Sequence, residues 1–209
     1  AGWRENLNKA AELRPEHISL YQLHIEVGTP FYTMLQRGEI REFDNELALA
    51  MYEEAISFLS GAGYHHYEIS NFALPGKESI HNQVYWRNEE YLGLGAGAAG
   101  YLQGIRYKNL SSLEEYVEAV LAGHTPRAEE EVITEEMKRS ETMFLGLRLL
   151  KGVEKERFLA RHHITMEECF GKTLDKLAQR GHLVNAPSHV ALTRQGLYLA
   201  NEVFQEFLP

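Results

Sequence analysis

The sequence predicts an α/β region with parallel strands followed by a mainly helical domain. Helical and strand patterns alternate up to residue 72, as in α/β units, and helical patterns dominate after residue 132. The charge changes near the same point: residues 1–131 hold 20 acidic side chains against 10 Lys and Arg, and residues 132–209 hold 10 against 11. The polar stretch 124–131 between the two regions is typical of a linker.

The α/β region begins with a helical pattern in which Trp3 and Leu7 share a face. No cap residue precedes this pattern, so we expect the chain to be a piece of a longer protein. Strands are predicted over 17–25 and 64–72, where β-branched and aromatic residues are frequent. The helix between them has caps and an apolar stripe, namely Asp44, Asn45, Leu49, Tyr52, Ile56 and Leu59. Two strands cannot bury both faces of a parallel sheet, so we expect further strands outside this chain and self-association of the fragment.

The helical region has the outline of a winged helix, which is three helices with a β-hairpin. Residues that cap helices mark the predicted starts of a connecting helix and of three helices in this region: Ser112, Thr134, Thr165 and Thr193. Thr165 stands three residues before Glu168, the spacing of a capping box. Residues 183–192 are predicted to form two short strands around a turn at Pro187 and Ser188.

A winged helix raises the alternative of DNA binding, in which the recognition helix carries basic side chains to phosphates and base edges. The helix predicted over 166–180 offers Lys172, Lys176 and Arg180, together with Glu167, Glu168 and Asp175. Because the acidic side chains offset the basic ones, the sequence favours a packing module and predicts no nucleic-acid partner.

Composition excludes several classes of protein. The chain has 209 residues, a formal net charge of −9 and one cysteine, Cys169. The negative charge argues against nucleic-acid and anionic-membrane surfaces. One thiol cannot form an internal disulfide, a Cys-based zinc site or an iron–sulfur cluster, which fits a cytoplasmic protein. No apolar run approaches the ~18 residues of a membrane span.

Two patterns resemble ligand sites but stand in the wrong context. Gly95, Gly97 and Gly100 form a G-x-G-x-x-G without a buried strand before it, which favours close approach of a ligand or tight packing over a dinucleotide site. The histidine pair 65–66 lies in a predicted strand and points to opposite faces. The pair 162–163 ends a helix, where imidazolium would favour the helix dipole. The histidines therefore predict no classical metal site.

The densest cluster of unusual residues is HNQVYW, from His81 to Trp86. Imidazole coordinates haem iron, and Tyr85 and Trp86 are side chains that stack on flat aromatic ligands. A loop packed over the core is the alternative interpretation. The position of the cluster after a strand end favours a functional role, because α/β proteins bind ligands at the carboxyl ends of strands.

Three long motifs identify a family. HISLYQL-x-IE-x-GTPFY (17–32), YEISNFA-x-PG-x-x-S-x-HN-x-x-YW (67–86) and YLGLGAGA (91–98) resemble, in order and spacing, the radical S-adenosylmethionine haem chaperones of the HemW type, long labelled oxygen-independent coproporphyrinogen oxidase-like proteins. The resemblance implies the C-terminal part of a partial (β/α) barrel over residues 1–110. A connecting helix and linker over 111–131 and a winged-helix-like domain over 132–209 are expected to follow it.

The resemblance also implies cofactors and site residues. The intact protein is expected to bind S-adenosylmethionine and a 4Fe–4S cluster, whose C-x-x-x-C-x-x-C motif is absent from this chain. Gln22 and Ala99 align with contacts to S-adenosylmethionine. The haem-contacting residues are expected to be His81, Asn82, Tyr85 and Trp86, with His81 meeting the iron; in the alternative interpretation the other three only brace the segment that presents His81.

The implied function is binding of haem and its transfer to recipient enzymes, with those of respiratory membranes as candidates. The expected location is the cytoplasm, including the membrane periphery. This chain alone is expected to perform no radical chemistry, and the resemblance leaves open whether the intact protein is an enzyme. The alternatives are an oxygen-independent coproporphyrinogen III oxidase of porphyrin biosynthesis and a winged-helix nucleic-acid binder.

Overall fold

A computed structural model of the chain describes residues 2–41 and 44–209. Backbone contacts separate two units, one that ends at Ser79 and one that begins at Ile80. The boundaries expected near residues 110 and 131 stay predictions. In the described residues no helix has the length and apolar character needed to span a membrane.

The first unit joins three helices to a small sheet. Its elements in chain order are α1 (Gly2–Glu12), β1 (His17–Ser19), α2 (Pro30–Gln36), α3 (Asn45–Gly61), β2 (His65–Glu68) and β3 (Asn71–Ala73). Helix α3 begins as predicted, because the Asp44 carboxylate accepts a hydrogen bond from the Glu46 backbone N–H at 3.0 Å. Its Leu59 is buried against Tyr64 and Phe72, and these three residues form the core of the unit.

The sheet of this unit differs from the predicted parallel arrangement. The strand expected over 64–72 is a hairpin of β2 and β3, and the strand expected over 17–25 ends at Ser19. The strand order is β1-β3-β2, with both outer strands antiparallel to β3. The turn forms because the buried Glu68 carboxylate accepts the Ser70 backbone N–H at 2.9 Å, which lets the chain reverse at once. The reversed strand β3 then occupies the place where a parallel partner was expected.

The second unit contains most of the helices. Its elements are α4 (Ile80–Trp86), β4 (Ala99–Leu102), β5 (Ile105–Asn109), α5 (Leu113–Leu121), β6 (Arg127–Val132), α6 (Glu135–Gly146), β7 (Val153–Glu154), α7 (Lys155–His162), α8 (Met166–Gln179), β8 (Leu183–Asn185), β9 (His189–Leu192), α9 (Arg194–Tyr198) and α10 (Ala200–Gln205). Two antiparallel sheets have the orders β4-β5-β6 and β7-β9-β8.

Residues 127–132, most of which were expected to lie in a linker, instead form β6. The acidic run pairs with β5, where Glu131 lies opposite Arg106 and Glu129 opposite Lys108. The Arg127 guanidinium lies 4.1 Å from the centre of the Tyr107 ring. Opposite charges across neighbouring strands stabilise the pairing, so a run that resembled a solvated linker is one side of a ladder.

The winged-helix outline is confirmed in its local details. Thr134, Thr165 and Thr193 each accept a backbone N–H at the start of a helix, and Thr165 forms the complete capping box with Glu168. Strands β8 and β9 flank the predicted turn, and β7 adds a third strand beside β9. The core of this part is apolar: Met143, Leu147, Phe158, Leu174, Leu177, Val203 and Phe207.

Candidate functional site

The predicted haem residues lie on helix α4 rather than on a packed loop. Because His81 and Tyr85 are four residues apart, they lie on one face of the helix. The His81 Nε2 and Tyr85 Oη atoms are 2.9 Å apart, and the rings meet edge to face with centroids 4.9 Å apart. His81 is exposed and Tyr85 is half-buried. Helix formation therefore places two potential iron ligands side by side at the surface.

Tyr91 also packs against the ring of Tyr85. The two rings are 4.6 Å apart in an edge-to-face arrangement, and Tyr91 pairs through its backbone with Tyr101. Burial raises the pKa of Tyr91, although the nearby Arg106 opposes the shift. Arg106 is itself held by Glu141 at 2.6 Å. The neighbour of Tyr85 is therefore a neutral phenol in a fixed framework.

Trp86 packs away from the His81–Tyr85 face. The Arg148 guanidinium lies 4.2 Å from the centre of its ring, a cation–π contact. The Trp86 Nε1 atom is buried, and it has no hydrogen-bond partner among the described residues. Asn82, the other predicted haem contact, is half-buried. The contact with Arg148 fits the alternative in which Trp86 braces the segment that presents His81, and the roles of Trp86 and Asn82 stay predictions.

The C-terminal end of α4 is anchored by α7, which sequence reasoning did not find. The Arg161 guanidinium donates to the Arg87 carbonyl at 2.9 Å and also to the Asn88 carbonyl. Arg157 forms an ion pair with Glu89. Asn88 has a φ of 51°, the left-handed conformation that commonly ends a helix. These anchors are missed because Arg161 is separated from the helix by more than 70 residues, a distance over which no local pattern is visible.

His162 adds a buried polar contact beside these anchors. Its Nε2 lies 3.1 Å from Thr142 Oγ1, and that hydroxyl donates to the Lys138 carbonyl at 2.8 Å, so we assign the proton to His162 Nε2. Burial lowers the pKa of His162 to about 4, and the adjacent Arg161 adds to the shift. The imidazole is therefore neutral near pH 7, and the expected interaction of an imidazolium with the helix dipole is wrong for this residue.

Tight packing explains two of the glycines in the segment that contains the G-x-G-x-x-G pattern. A Cβ atom at Gly93 would clash with the carbonyl of Ala99, and one at Gly100 would clash with the Tyr107 ring. Gly95 and Gly97 have positive φ angles of 104° and 70°. Of the two alternatives left open by the sequence, packing explains Gly93 and Gly100.

The two predicted contacts to S-adenosylmethionine lie in different units. Gln22 is exposed and follows β1 in the first unit, whereas Ala99 is the first residue of β4 in the second and is also exposed. Near Gln22, the chain is held by a hydrogen bond from the Leu20 N–H to the Ser70 carbonyl at 2.7 Å. The roles of Gln22 and Ala99 stay predictions.

A buried polar network in the first unit was not anticipated. Glu68 and Asn71 are fully buried, Asn71 donates to the Glu68 carboxylate, and Ser19 donates to Asn71. The network joins the end of β1 to the β2–β3 turn. The sequence contained a signal for this network, because the motif YEISN places a charged and an amide side chain inside a predicted buried strand.

The residues of this chain do not fit an iron–sulfur cluster. Cys169 is half-buried on α8, and burial raises the pKa of its thiol. Within residues 2–41 and 44–209, no group of three or more His, Cys, Asp or Glu side chains is arranged to hold a metal ion. Two of the three basic side chains considered for DNA form ion pairs, since Lys176 and Arg180 pair with Glu206 at 2.6 and 3.8 Å.

Comparison with known proteins shows which family this chain resembles. Residues 133–199 match the family described as HemN C-terminal domain. The chain is 41% identical over 203 residues to the Heme chaperone HemW of Bacillus subtilis, covering 97% of this chain and 54% of that protein. It is likewise 41% identical over 205 residues to the Heme chaperone HemW of Lactococcus lactis, covering 98% and 54%.

The chain is also similar to proteins of lower sequence identity. Radical S-adenosyl methionine domain-containing protein 1 of mouse mitochondria is 31% identical over 219 residues, covering 99% of this chain and 49% of that protein. The solved structure of coproporphyrinogen III oxidase (HemN) from Escherichia coli, a radical SAM enzyme, matches with a TM-score of 0.73 and 19% identity, covering 98% of this chain and 50% of that one.

The structural match confirms the predicted fold class, and at 19% identity it shows the fold alone. The chain spans about half the length of the curated relatives that it matches. Together these similarities show that the chain belongs to the family of radical S-adenosylmethionine haem chaperones of the HemW type, of which it represents the half with the HemN C-terminal domain.

Proposed function

We propose that the protein to which this chain belongs binds haem and passes it to haem-requiring enzymes, and that α4 is the part of this chain that meets haem. The name of the relatives in Bacillus subtilis and Lactococcus lactis, Heme chaperone HemW, supports the haem function. The observation that carries the assignment to α4 is the His81–Tyr85 pair, in which two residue types that ligate haem iron lie 2.9 Å apart at the surface.

The surroundings of the pair suit a flat apolar ligand. Ile80, the residue before His81, is 81% exposed, so its side chain is available to cover part of a porphyrin face. Tyr91 and Arg148 hold Tyr85 and Trp86 in place, which keeps the pair oriented before the ligand arrives. In this proposal His81 and Tyr85 meet the haem, Asn82 lies beside them, and Trp86 braces the helix.

The complete protein is proposed to bind S-adenosylmethionine and a 4Fe–4S cluster, with Gln22 and Ala99 as contacts to S-adenosylmethionine. With a single cysteine, these 209 residues cannot supply the cluster ligands. The cofactors would supply one-electron chemistry, and the role of this chain is to position them and the haem. Enzymes of respiratory membranes are the proposed recipients, reached by a cytoplasmic protein at the membrane periphery.

The test is a Soret titration of the complete protein with haem, comparing the wild type with His81→Ala. We expect the variant to bind haem more weakly. His124→Ala is the matched control, because His124 is also an exposed histidine and lies in the segment between α5 and β6. Equal haem affinity in the wild type and both variants would remove His81 from the site.

A further inference from the structure

We infer that the atom of this chain that coordinates ferric haem iron is Tyr85 Oη, and that His81 acts as the base that accepts the Tyr85 proton. The inference rests on the proposed function, since it assumes that α4 meets haem. It assigns separate chemical roles to two residues that the sequence pattern presents only as a motif.

The hydrogen bond between the two side chains favours Tyr85 over His81 as the iron ligand. Histidine commonly binds haem iron through Nε2, and here the His81 Nε2 atom is the one that contacts Tyr85 Oη, at 2.9 Å. Coordination through that nitrogen would break the hydrogen bond. We assign His81 the tautomer protonated at Nδ1, in which Tyr85 donates this hydrogen bond to Nε2. Coordination through the Tyr85 oxygen would keep the contact, with the direction of donation reversed. The contact between the two side chains is therefore compatible with iron on tyrosine.

The proton balance of the step is simple. The Tyr85 O–H bond breaks, the proton moves to His81 Nε2, and the phenolate oxygen bonds to the ferric iron in place of a bound water molecule, which leaves. No oxidant or reductant is required. A phenol has a pKa of about 10 in water, so a neighbouring base and the charge of the metal are needed for phenolate to form near pH 7.

Tyr85 contacts two other rings of this cluster, and they offer its hydroxyl different partners. The His81 Nε2 atom lies 2.9 Å from the Tyr85 hydroxyl, whereas the Tyr91 ring packs edge to face with its centroid 4.6 Å from that of Tyr85. Tyr85 is thus the tyrosine of this cluster with an imidazole in hydrogen-bonding contact.

The experiment is a titration of the complete protein with ferric haem, followed by absorption in the Soret and charge-transfer regions and by resonance Raman spectroscopy. The wild type is expected to show the vibrations of an iron-bound phenolate. Tyr85→Phe, which keeps the ring, should lose them. His81→Ala should weaken haem binding by about 10- to 100-fold, as expected for a residue that supports a metal ligand. The control Tyr91→Phe removes the other hydroxyl of the cluster and should keep the phenolate signature.

The possible outcomes separate the inference from the function on which it rests. An imidazole-type spectrum that persists in Tyr85→Phe and disappears in His81→Ala would overturn the ligand assignment and leave α4 as the haem-binding element. Haem affinity and spectra unchanged in both variants would overturn the proposed function as well. Circular dichroism of each variant establishes that it is folded, so that a loss of signal reports on the ligand.

Discussion

The guanidinium of Arg148 lies 4.2 Å from the ring centre of Trp86, and this contact joins the end of the HNQVYW motif to the residues that match the HemN C-terminal domain. Trp86 is the last residue of α4, and Arg148 follows α6. A motif that the sequence presents as one unit therefore has two environments along its length. Its first residue, His81, is exposed, and its last residue, Trp86, is held by a residue more than 60 positions away.

Removing the charge of Arg148 is expected to destabilise the protein. Arg148→Met keeps an unbranched stem of carbon and sulfur and removes the guanidinium, so it should lower the free energy of unfolding by about 1 kcal/mol, typical of a partly buried cation–π contact. The measurement is urea denaturation followed by tryptophan fluorescence. Arg180→Met is the matched control, because Arg180 pairs at 3.8 Å with Glu206 at the surface and should change stability little. Equal effects of the two substitutions would contradict the prediction.

Local features of the fold could be predicted from the sequence. Asp44, Thr134, Thr165 and Thr193 each cap a helix as expected, because a cap requires only a side chain and a backbone N–H two or three residues away. The hairpin of β8 and β9 follows from its turn in the same way. For these elements the interaction that forms the structure lies within the stretch of sequence that predicts it.

The features that the sequence did not predict depend on distant residues. The β2–β3 turn needs the Glu68 carboxylate to be buried, which only the packing around it provides. Strand β6 needs cations across the ladder, such as Arg106 opposite Glu131. In the candidate site, too, local features could be predicted and features that depend on distant residues could not. His81 and Tyr85 were predicted by residue type, but their contact required α4 to form, and the anchor at Arg161 was beyond any local pattern.

Two glycine-to-alanine substitutions are expected to change the stability of the protein in opposite directions. In β4, Gly100 faces the Tyr107 ring closely enough that a Cβ would clash, so Gly100→Ala should destabilise the protein by about 1–3 kcal/mol through overpacking. In the interior of α8, a methyl group on Gly171 would have open space within 4 Å, so Gly171→Ala should stabilise the protein by about 0.5–1 kcal/mol. Thermal and urea denaturation of both variants give the two signs. A stabilised Gly100→Ala would show that the Tyr107 ring moves without cost.

The free energy of unfolding should depend on pH through the titration of His162. Burial lowers its pKa to about 4 in the folded protein, against an ordinary value of 6.5. Between these values the unfolded chain binds a proton that the folded chain does not, so the free energy of unfolding falls as the pH decreases from 6.5 to 4. The full shift corresponds to about 3 kcal/mol. The charged groups around the imidazole that contribute to the shift are Glu135, Lys138, Arg139 and Arg161.

His162→Gln isolates this contribution, because glutamine has no proton to gain in this range and its amide can still donate to Thr142. The variant should lose less stability than the wild type between pH 7.5 and pH 5, measured by urea denaturation at each pH. Paired carboxylates such as Glu167 and Glu206 also lose stabilising interactions in acid, because ion pairs lower their pKa values. Their effect is common to both proteins and cancels in the difference. Parallel pH profiles for the wild type and His162→Gln would mean that the buried imidazole titrates alike in the folded and unfolded chains.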